Sequence, residues 1–148
     1  MTDRKLGRKK EHRERTLRNL ATSLVLYEKV TTTEAKAKAV SPMVERLVSN
    51  ALKGELTARR SALSVLFDPN AVRKLFEDLP ARQGKRTSGF VRITKIAPRQ
   101  GDGSSMAVME LLFTPLEEII QQETQTKVAV RRKKSAEPAV TETEEVSK

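Results

Sequence analysis

The sequence predicts an α+β domain in which helices pack on a small antiparallel sheet, with a basic N-terminal arm and a disordered C-terminal tail. Three observations carry this prediction. Apolar residues recur at helical spacing between about residues 17 and 79. Two β-branched or apolar runs of strand length lie between residues 90 and 113. Both ends of the 148-residue chain are rich in charge and poor in apolar surface, which does not favour packing against a core.

These patterns divide the chain into three parts. Residues 1–11 are predicted to form the basic arm, and they carry Arg4, Lys5, Arg8, Lys9 and Lys10 with almost nothing apolar. Residues 12–113 are long enough for one domain with its own core. Residues 114–148 contain one short apolar segment followed by mixed charges, so we expect a disordered extension.

The first helix is predicted from about His12 to Tyr27. Its apolar residues recur at i, i+3, i+4, i+7 and i+8, the spacing of one helix face. They are Leu17, Leu20, Ala21, Leu24 and Val25. Arg13, Arg15 and Arg18 fall largely outside this stripe.

A short strand and a second helix are predicted next. Residues 28–32 are rich in β-branched side chains, which favours a strand that would be the third of the sheet. Thr31 and Glu34 have the spacing of a capping box for a helix that begins just after Thr31. The apolar positions of this helix run from Ala37 to Leu52, and Gly54 suits its C-terminal cap.

Two shorter helices are predicted from Ala58 to Phe67 and from Pro69 to Leu79. Asp68 and Pro69 form a favourable N-cap and first-position pair. The side chains expected to point inward are Ala62, Leu63 and Leu66 in the first helix, and Val72, Leu75, Phe76 and Leu79 in the second.

Two prolines predict interruptions. Pro42 lies inside the pattern of the second helix, where it has no amide hydrogen to donate, so we expect a kink or a break near Val40. Pro80 is expected to stop the fourth helix. The segment 82–89 that follows is polar and bounded by glycine, and it predicts a loop with three positive charges that packs against nothing.

The remaining predicted strands form a hairpin. Residues 90–96 and 106–113 are separated by a long loop that contains Gly101 and Gly103. With residues 28–32 as a third strand, helices would cover one face of the sheet.

The charge balance indicates a polyanionic partner. Lys and Arg number 29 against 19 Asp and Glu, which gives a net charge of +10. Residues 1–113 hold 23 basic and 12 acidic side chains, whereas residues 114–148 hold 6 and 7. The binding surface is therefore predicted in the first part of the chain.

Composition also excludes several functions. The chain has no cysteine and only one histidine, so a structural zinc site is not expected. No apolar run approaches the roughly 20 residues of a membrane span, and the basic start lacks the apolar core of a signal peptide. We expect a cytoplasmic protein without a cofactor, a metal, a membrane contact or a small-molecule substrate.

The basic residues are clustered rather than dispersed. They concentrate in the arm, in the first helix and in the 82–99 region, and this last region has no acid to neutralise it. The members in that last region are Arg82, Lys85, Arg86, Arg92, Lys95 and Arg99. Such clustering favours contact with nucleic acid, whose phosphates arginine binds through paired hydrogen bonds.

Aromatic residues are too few for extensive base stacking. Phe67 and Phe76 are assigned to helix stripes, which leaves mainly Tyr27, Phe90 and Phe113. Readers of single-stranded sequence generally stack bases on aromatic rings. The prediction is therefore recognition of phosphates and shape in folded RNA.

Two other function classes remain open at this point. A regulatory DNA-binding protein would need a recognition helix, for which Ala58 to Phe67 offers Arg59 and Arg60 but little else. An enzyme of RNA metabolism would need a catalytic cluster, and His12 has no marked partner. The Gly101 to Gly103 segment lacks the pattern of a phosphate-binding loop, so no catalytic residue is predicted.

Particular motifs in the chain resemble a known family. They are RKLGR at 4–8, HR at 12–13, LRNLATSL at 17–24, TT at 32–33, KAK at 36–38, RR at 59–60, LF at 75–76, GFVRI at 89–93, and Arg99-x-Gly-Asp followed by Met106-Ala107 and Glu110-Leu111. In this order they resemble the bacterial large-subunit ribosomal protein seventeen family over about residues 4–113. The chain departs from the family pattern at Pro42 and extends past the usual end at residues 114–148.

The resemblance implies a structural constituent of the bacterial large ribosomal subunit that binds and stabilises folded ribosomal RNA. It implies a place near the polypeptide exit tunnel, beside other large-subunit proteins, and neither catalysis nor a cofactor. The RNA contacts that it implies are Arg4, Lys5, Arg8, His12, Arg13, Arg18, Asn19, Thr33, Lys36, Lys38, Arg59, Arg60, Arg92 and Arg99. Lys9, Lys10, Lys85 and Arg86 are added from charge alone.

Overall fold

Among the described residues, four helices and three strands follow one another in the predicted order. The computed structural model describes residues 4–83 and 86–113. The elements are α1 (Lys10–Tyr27), β1 (Lys29–Thr33), α2 (Glu34–Ala51), α3 (Leu56–Val65), α4 (Pro69–Ala81), β2 (Val91–Ile96) and β3 (Met106–Leu111). The α+β class is confirmed. The disorder expected for residues 114–148 lies outside the described residues.

The three strands form one antiparallel sheet in the order β1-β3-β2, which confirms residues 28–32 as the source of the third strand. Met109 of β3 lies opposite Val30 on one side and opposite Ile93 on the other. Burial alternates along β3, with Ala107, Met109 and Leu111 buried and their neighbours only half-buried. This period of two places one sheet face against the core.

The core lies between that sheet face and the helices. Its largest fully buried side chains are Phe90, Leu24, Leu75, Leu79, Met109, Val25, Val40, Val44 and Val48. The helical stripes predicted for α1, α2 and α4 therefore supply most of the core, as their spacing indicates. Phe113 is half-buried and stacks on Phe90 with ring centroids 5.8 Å apart.

The prolines interrupt less than the sequence suggests. α2 runs without a break from Glu34 to Ala51 through Pro42, and α4 continues through Pro80 to Ala81. A helical proline costs about 3 kcal/mol in an exposed helix. Val40 and Val44 on either side of Pro42 are fully buried, so packing of the same helix face outweighs the lost hydrogen bond. The predicted break at Val40 is therefore wrong, whereas a kink there stays a prediction. The predicted stop at Pro80 is also wrong, because α4 ends at Ala81.

Three smaller expectations are also wrong. The capping box does not form, because Thr31 lies inside β1 and α2 begins at Glu34 without a side-chain cap. Leu63 is 54% exposed although Ala62 is buried. Phe67 follows the end of α3 and is 55% exposed. α3 is only ten residues long and buries Ala62 alone, so fewer of its apolar residues reach the core than the pattern predicts.

Within residues 4–83 and 86–113, no helix combines the length and apolar character needed to cross a lipid bilayer.

Candidate nucleic-acid interface

The arm begins with a tight turn. The backbone N–H of Arg8 donates to the carbonyl of Lys5 at 3.1 Å, and Leu6 and Gly7 at the centre both have positive φ values, 54° and 62°. A left-handed leucine costs about 1 kcal/mol, whereas glycine adopts this conformation freely. Leu6 is half-buried, and the flanking Lys5 and Lys9 are exposed. Arg4, Lys5, Lys9 and Lys10 are therefore displayed to solvent, whereas Arg8 is half-buried.

The arm leads directly into α1, which begins two residues before the predicted start. His12 and Asn19 are exposed, and Arg13 and Arg18 are half-buried. The carbonyl of His12 accepts a hydrogen bond from the Thr16 hydroxyl at 2.7 Å. The first turns of α1 thus extend the cationic surface of the arm along one helix.

A cleft joins the arm to the rest of the domain. It has a volume of about 520 Å³ and lies where β1 ends, α2 begins and the β2–β3 loop returns to the sheet. Its lining residues are Arg4, Thr33, Glu34, Ala35, Lys38, Ser104 and Ser105. The structure therefore brings together three predicted site residues, Arg4, Thr33 and Lys38, and adds two serines that sequence reasoning missed.

Glu34, the one acid among the described residues that line the cleft, forms ion pairs with two lysines. Glu34 Oε1 lies 2.5 Å from Lys38 Nζ and 3.1 Å from Lys95 Nζ. The hydrogen bond from Lys38, followed by the one from Lys95, lowers the pKa of Glu34 from its usual value. Arg4 and Lys38 line the cleft together with this one carboxylate, so the lining keeps a net positive charge.

The β2–β3 loop is ordered by an ion pair within it. Arg99 Nε donates to Asp102 Oδ1 at 3.0 Å, and a second guanidinium nitrogen contacts Asp102 Oδ2. Asp102 also accepts from the Ser104 hydroxyl at 2.8 Å. The pKa of Asp102 lies well below its usual range because of Arg99 first and Ser104 second. Arg99, a predicted RNA contact, is thus already ion-paired with a carboxylate of the domain.

One member of the 82–99 cluster is a core residue. Arg82 is 4% exposed, and its two terminal nitrogens donate to the two carboxylate oxygens of Glu28 at 2.7 and 2.8 Å. Lys74 Nζ approaches the same carboxylate to 2.6 Å. The hydrogen bond from Arg82 is the main reason why the pKa of Glu28 falls to about 2, although burial opposes the shift.

The expectation that the 82–89 loop packs against nothing is therefore wrong at Arg82. The idea that no acid neutralises the 82–99 region is wrong too, because Glu28, Glu34 and Asp102 supply carboxylates from elsewhere. No local pattern could have shown the Arg82 pairing, since 54 positions separate the two residues.

The open sheet face carries Arg92. Arg92 lies directly opposite Glu110, which Lys29 contacts at 2.7 Å. Lys29 is the main cause of the lowered pKa of Glu110, and Arg92 adds a weaker coulombic contribution. Arg86 is exposed and donates to the Gly89 carbonyl at 2.9 Å. Lys85 lies outside the described residues.

Two predicted contacts lie on a different part of the domain. Arg59 and Arg60 are exposed on α3, which follows the C-terminal end of α2, whereas the cleft lies at its N-terminal end. The 18 residues of α2 span about 27 Å. Lys36, in the first turn of α2, is half-buried near the cleft. Arg59 and Arg60 are thus not part of the surface formed by the arm and the cleft.

The aromatic residues are distributed differently from the prediction. Phe90 has no exposed surface, so its ring cannot stack on a base, and Phe113 is half-buried with its ring stacked on Phe90. Tyr27 is 73% exposed, and Phe67 is also exposed. These two rings do not line the cleft. Among residues 4–83 and 86–113, no group of three metal-ligating side chains is placed to hold a metal ion.

Comparison with known proteins gives consistent matches. A family model described as ribosomal protein L17 matches residues 16–112. The large ribosomal subunit protein bL17 of Caldanaerobacter subterraneus is 46% identical over 112 residues, which cover 76% of this chain and 100% of the relative. The bL17 protein of Carboxydothermus hydrogenoformans is 47% identical over 108 residues, covering 73% and 96%. That of Pelodictyon phaeoclathratiforme is 42% identical over 141 residues, covering 93% of each chain.

A small α+β domain with a cationic arm and cleft, matched in this way, belongs to the ribosomal proteins. Ribosomal proteins of this kind are structural rather than catalytic. More narrowly, the chain belongs to the ribosomal protein L17 family, because the family model covers well over half of its length. The resemblance found in the sequence motifs is thereby confirmed. The Pelodictyon match also reaches into residues 114–148, so this extension is shared with at least one relative.

Proposed function

We propose that this chain is a structural constituent of the bacterial large ribosomal subunit that binds and stabilises folded large-subunit ribosomal RNA near the polypeptide exit tunnel. It thereby supports translation in the cytoplasm, beside neighbouring large-subunit proteins. It acts without a cofactor, because its work is to neutralise phosphates and to hold the shape of folded RNA.

One contrast between basic residues carries the RNA-binding part of this proposal. Lys74, Arg82 and Arg99 are each paired with a carboxylate of the domain itself. Among the described residues, none of the five basic side chains of the arm is ion-paired, and four of them are exposed. Cations held close together without internal acids attract an external polyanion.

The proposed contacts are the predicted residues, and we rank them by their exposure and by their ion pairs within the domain. The arm, the start of α1 and the cleft form the main surface. Lys38, Arg92 and Arg99 contribute less than the unpaired cations of the arm, because each contacts or faces a carboxylate of the domain. Arg59 and Arg60 form a separate contact on α3.

Sedimentation of a bacterial lysate tests the assembly directly. The chain should migrate with the large subunit through a sucrose gradient and should remain there at high salt, because many phosphate contacts form together. A chain found only in the soluble fractions at the top of the gradient would reject the ribosomal role.

The salt dependence of RNA binding is a second prediction. The logarithm of the association constant should fall linearly with the logarithm of the salt concentration, with a slope of about 0.9 per phosphate contact on a duplex. Five arm contacts alone would give a slope of about 4 or more. Titration of purified protein into large-subunit ribosomal RNA at several salt concentrations measures it, and a slope below about 2 would contradict the phosphate account.

A third prediction concerns residues 114–148. Deletion of this segment should leave the melting temperature and the incorporation into large subunits within experimental scatter of wild type. The segment carries 6 basic and 7 acidic residues, so it adds no net attraction for RNA. The whole Caldanaerobacter relative also corresponds to only 76% of this chain. Loss of incorporation on deletion would show that the segment holds a contact of its own.

A further inference from the structure

We propose that the cleft between the arm, the start of α2 and the β2–β3 loop binds a ribose–phosphate segment of RNA and reads its 2′-hydroxyl groups. Arg4 and Lys38 take the phosphate oxygens, and the hydroxyls of Thr33 and Ser105 take the ribose. The proposal rests on the RNA-binding function above and names what one part of that surface recognises.

The charge of the cleft selects an anionic occupant. Arg4 and Lys38 line the cleft, and Lys95 forms an ion pair with Glu34, which is also a lining residue. Glu34 is already bonded by two lysines and is 19% exposed, so it opposes an incoming phosphate less than a free carboxylate would. Arg4 has no ion-pair partner among the described residues, so its five donors remain available.

The hydroxyls of the cleft favour a sugar beside that phosphate. Thr33 makes no side-chain cap bond to α2, and neither its hydroxyl nor that of Ser105 has a hydrogen-bond partner in the part of the chain that the structure describes. Each hydroxyl can donate and accept, as can the ribose 2′-hydroxyl, which distinguishes RNA from DNA at a contact. The third hydroxyl, that of Ser104, is bonded to Asp102.

The lining and the size of the cleft argue against recognition of a base. None of the seven lining residues is aromatic, so a base would find no ring to stack on. The volume of about 520 Å³ lies within the range of small-molecule sites. It accommodates a sugar and its phosphates rather than a folded helix.

The cleft is held in shape before RNA arrives. The backbone N–H of Glu34 donates to the carbonyl of Ser105 at 2.9 Å, which joins α2 to the β2–β3 loop. The bonds among Arg99, Asp102 and Ser104 order that loop. A site that is already rigid loses little conformational entropy on binding.

The test removes only the two free hydroxyls. The double variant Thr33→Val/Ser105→Ala keeps the shape and the charge of the cleft. It should bind isolated large-subunit ribosomal RNA about tenfold more weakly than wild type, equivalent to about 1.4 kcal/mol. Its salt slope should not change, since no charge is removed. Nucleotides whose 2′-hydroxyls wild type protects from acylation should become reactive when the variant is bound.

A matched control and a folding check complete the design. Thr94→Val/Ser61→Ala removes two exposed hydroxyls outside the cleft and should bind as wild type does. If the melting curve shows that Thr33→Val disturbs the end of β1, Ser105→Ala alone gives the same test. Ser105 is exposed, so its replacement should not disturb the fold. The loss of affinity should then be smaller, because only one hydroxyl is removed.

The outcomes separate this inference from the function on which it rests. Full affinity and unchanged 2′-hydroxyl protection in the cleft variant would overturn the ribose contact while leaving RNA binding by wild type intact. A fall in affinity with a reduced salt slope would also overturn it, since the loss would then be of phosphate contacts. Wild type that fails to bind the RNA would overturn both proposals.

Discussion

Replacing Arg4, Lys5, Arg8, Lys9 and Lys10 together by alanine is expected to weaken binding to large-subunit ribosomal RNA by at least about 100-fold at moderate salt. The salt slope should fall by about 4, close to one for each lost phosphate contact. The melting temperature should change little, because none of the five is a core residue and alanine suits the first position of α1.

The extension offers a control with the same change in charge. Lys127, Arg131, Arg132, Lys133 and Lys134 are also five cations in a short stretch, and replacing them by alanine should alter RNA affinity far less. RNA binding, melting curves and the share of each variant in purified large subunits are measured for both. These measurements show whether the arm surface or the net charge drives binding. Equal losses in the two variants would show that net charge, and not the arm surface, drives binding.

The second large effect is expected from Glu28→Gln, which should lower the free energy of unfolding at neutral pH by about 3 kcal/mol. The substitution preserves the shape of the side chain but removes the carboxylate that Arg82 and Lys74 contact at 2.7 and 2.6 Å. Arg82 is buried, so water cannot replace the lost charge. Urea unfolding of both proteins measures the difference.

The pH dependence of this loss follows from the pKa of Glu28. Its value is about 2 in the folded protein against an ordinary value of 4.5. A lowered pKa adds stability that is fully present above pH 4.5 and is lost as the pH falls toward 2. The urea midpoints of wild type and Glu28→Gln should therefore converge across that window. A constant difference from pH 7 to pH 2 would contradict the role of the ionised carboxylate.

Glu110→Gln is the control for an exposed pair. Glu110 and Glu28 are similarly accessible, but the partner of Glu110, Lys29, is 66% exposed, whereas Arg82 is 5% exposed. Surface ion pairs stabilise little because water solvates both partners. The Glu110 variant should therefore unfold close to the wild-type urea concentration.

The sequence predicted the features of this fold that depend on periodic burial. The stripe from Leu17 to Val25 lies on the core face of α1, and the runs at 90–96 and 106–113 form the hairpin. Such patterns work because one face of each element must be buried. The local preference of proline predicts a break at Pro42, but packing of the flanking Val40 and Val44 outweighs it.

The features that sequence reasoning missed depend on residues far apart in the chain. The local sequence places Arg82 in a polar loop, yet its buried side chain donates hydrogen bonds to Glu28. The cleft joins Arg4 to Thr33 and to two serines beyond residue 100. The basic arm was found because its charges lie side by side in sequence. A site assembled from three segments has no such local signal.

The position of β3 at the centre of the sheet also governs the order in which the protein can fold during its own synthesis. Contacts among α1, α2, α3 and α4 join segments close in sequence and can form early. Within the part of the chain that the structure describes, β1 and β2 each pair only with β3, which is made after both. Until Met106 to Leu111 leave the translating ribosome, two strands lack their hydrogen-bonding partner. Such open edges favour aggregation. Nascent chains arrested before Met106 should therefore be far more sensitive to protease than chains arrested with β3 fully outside.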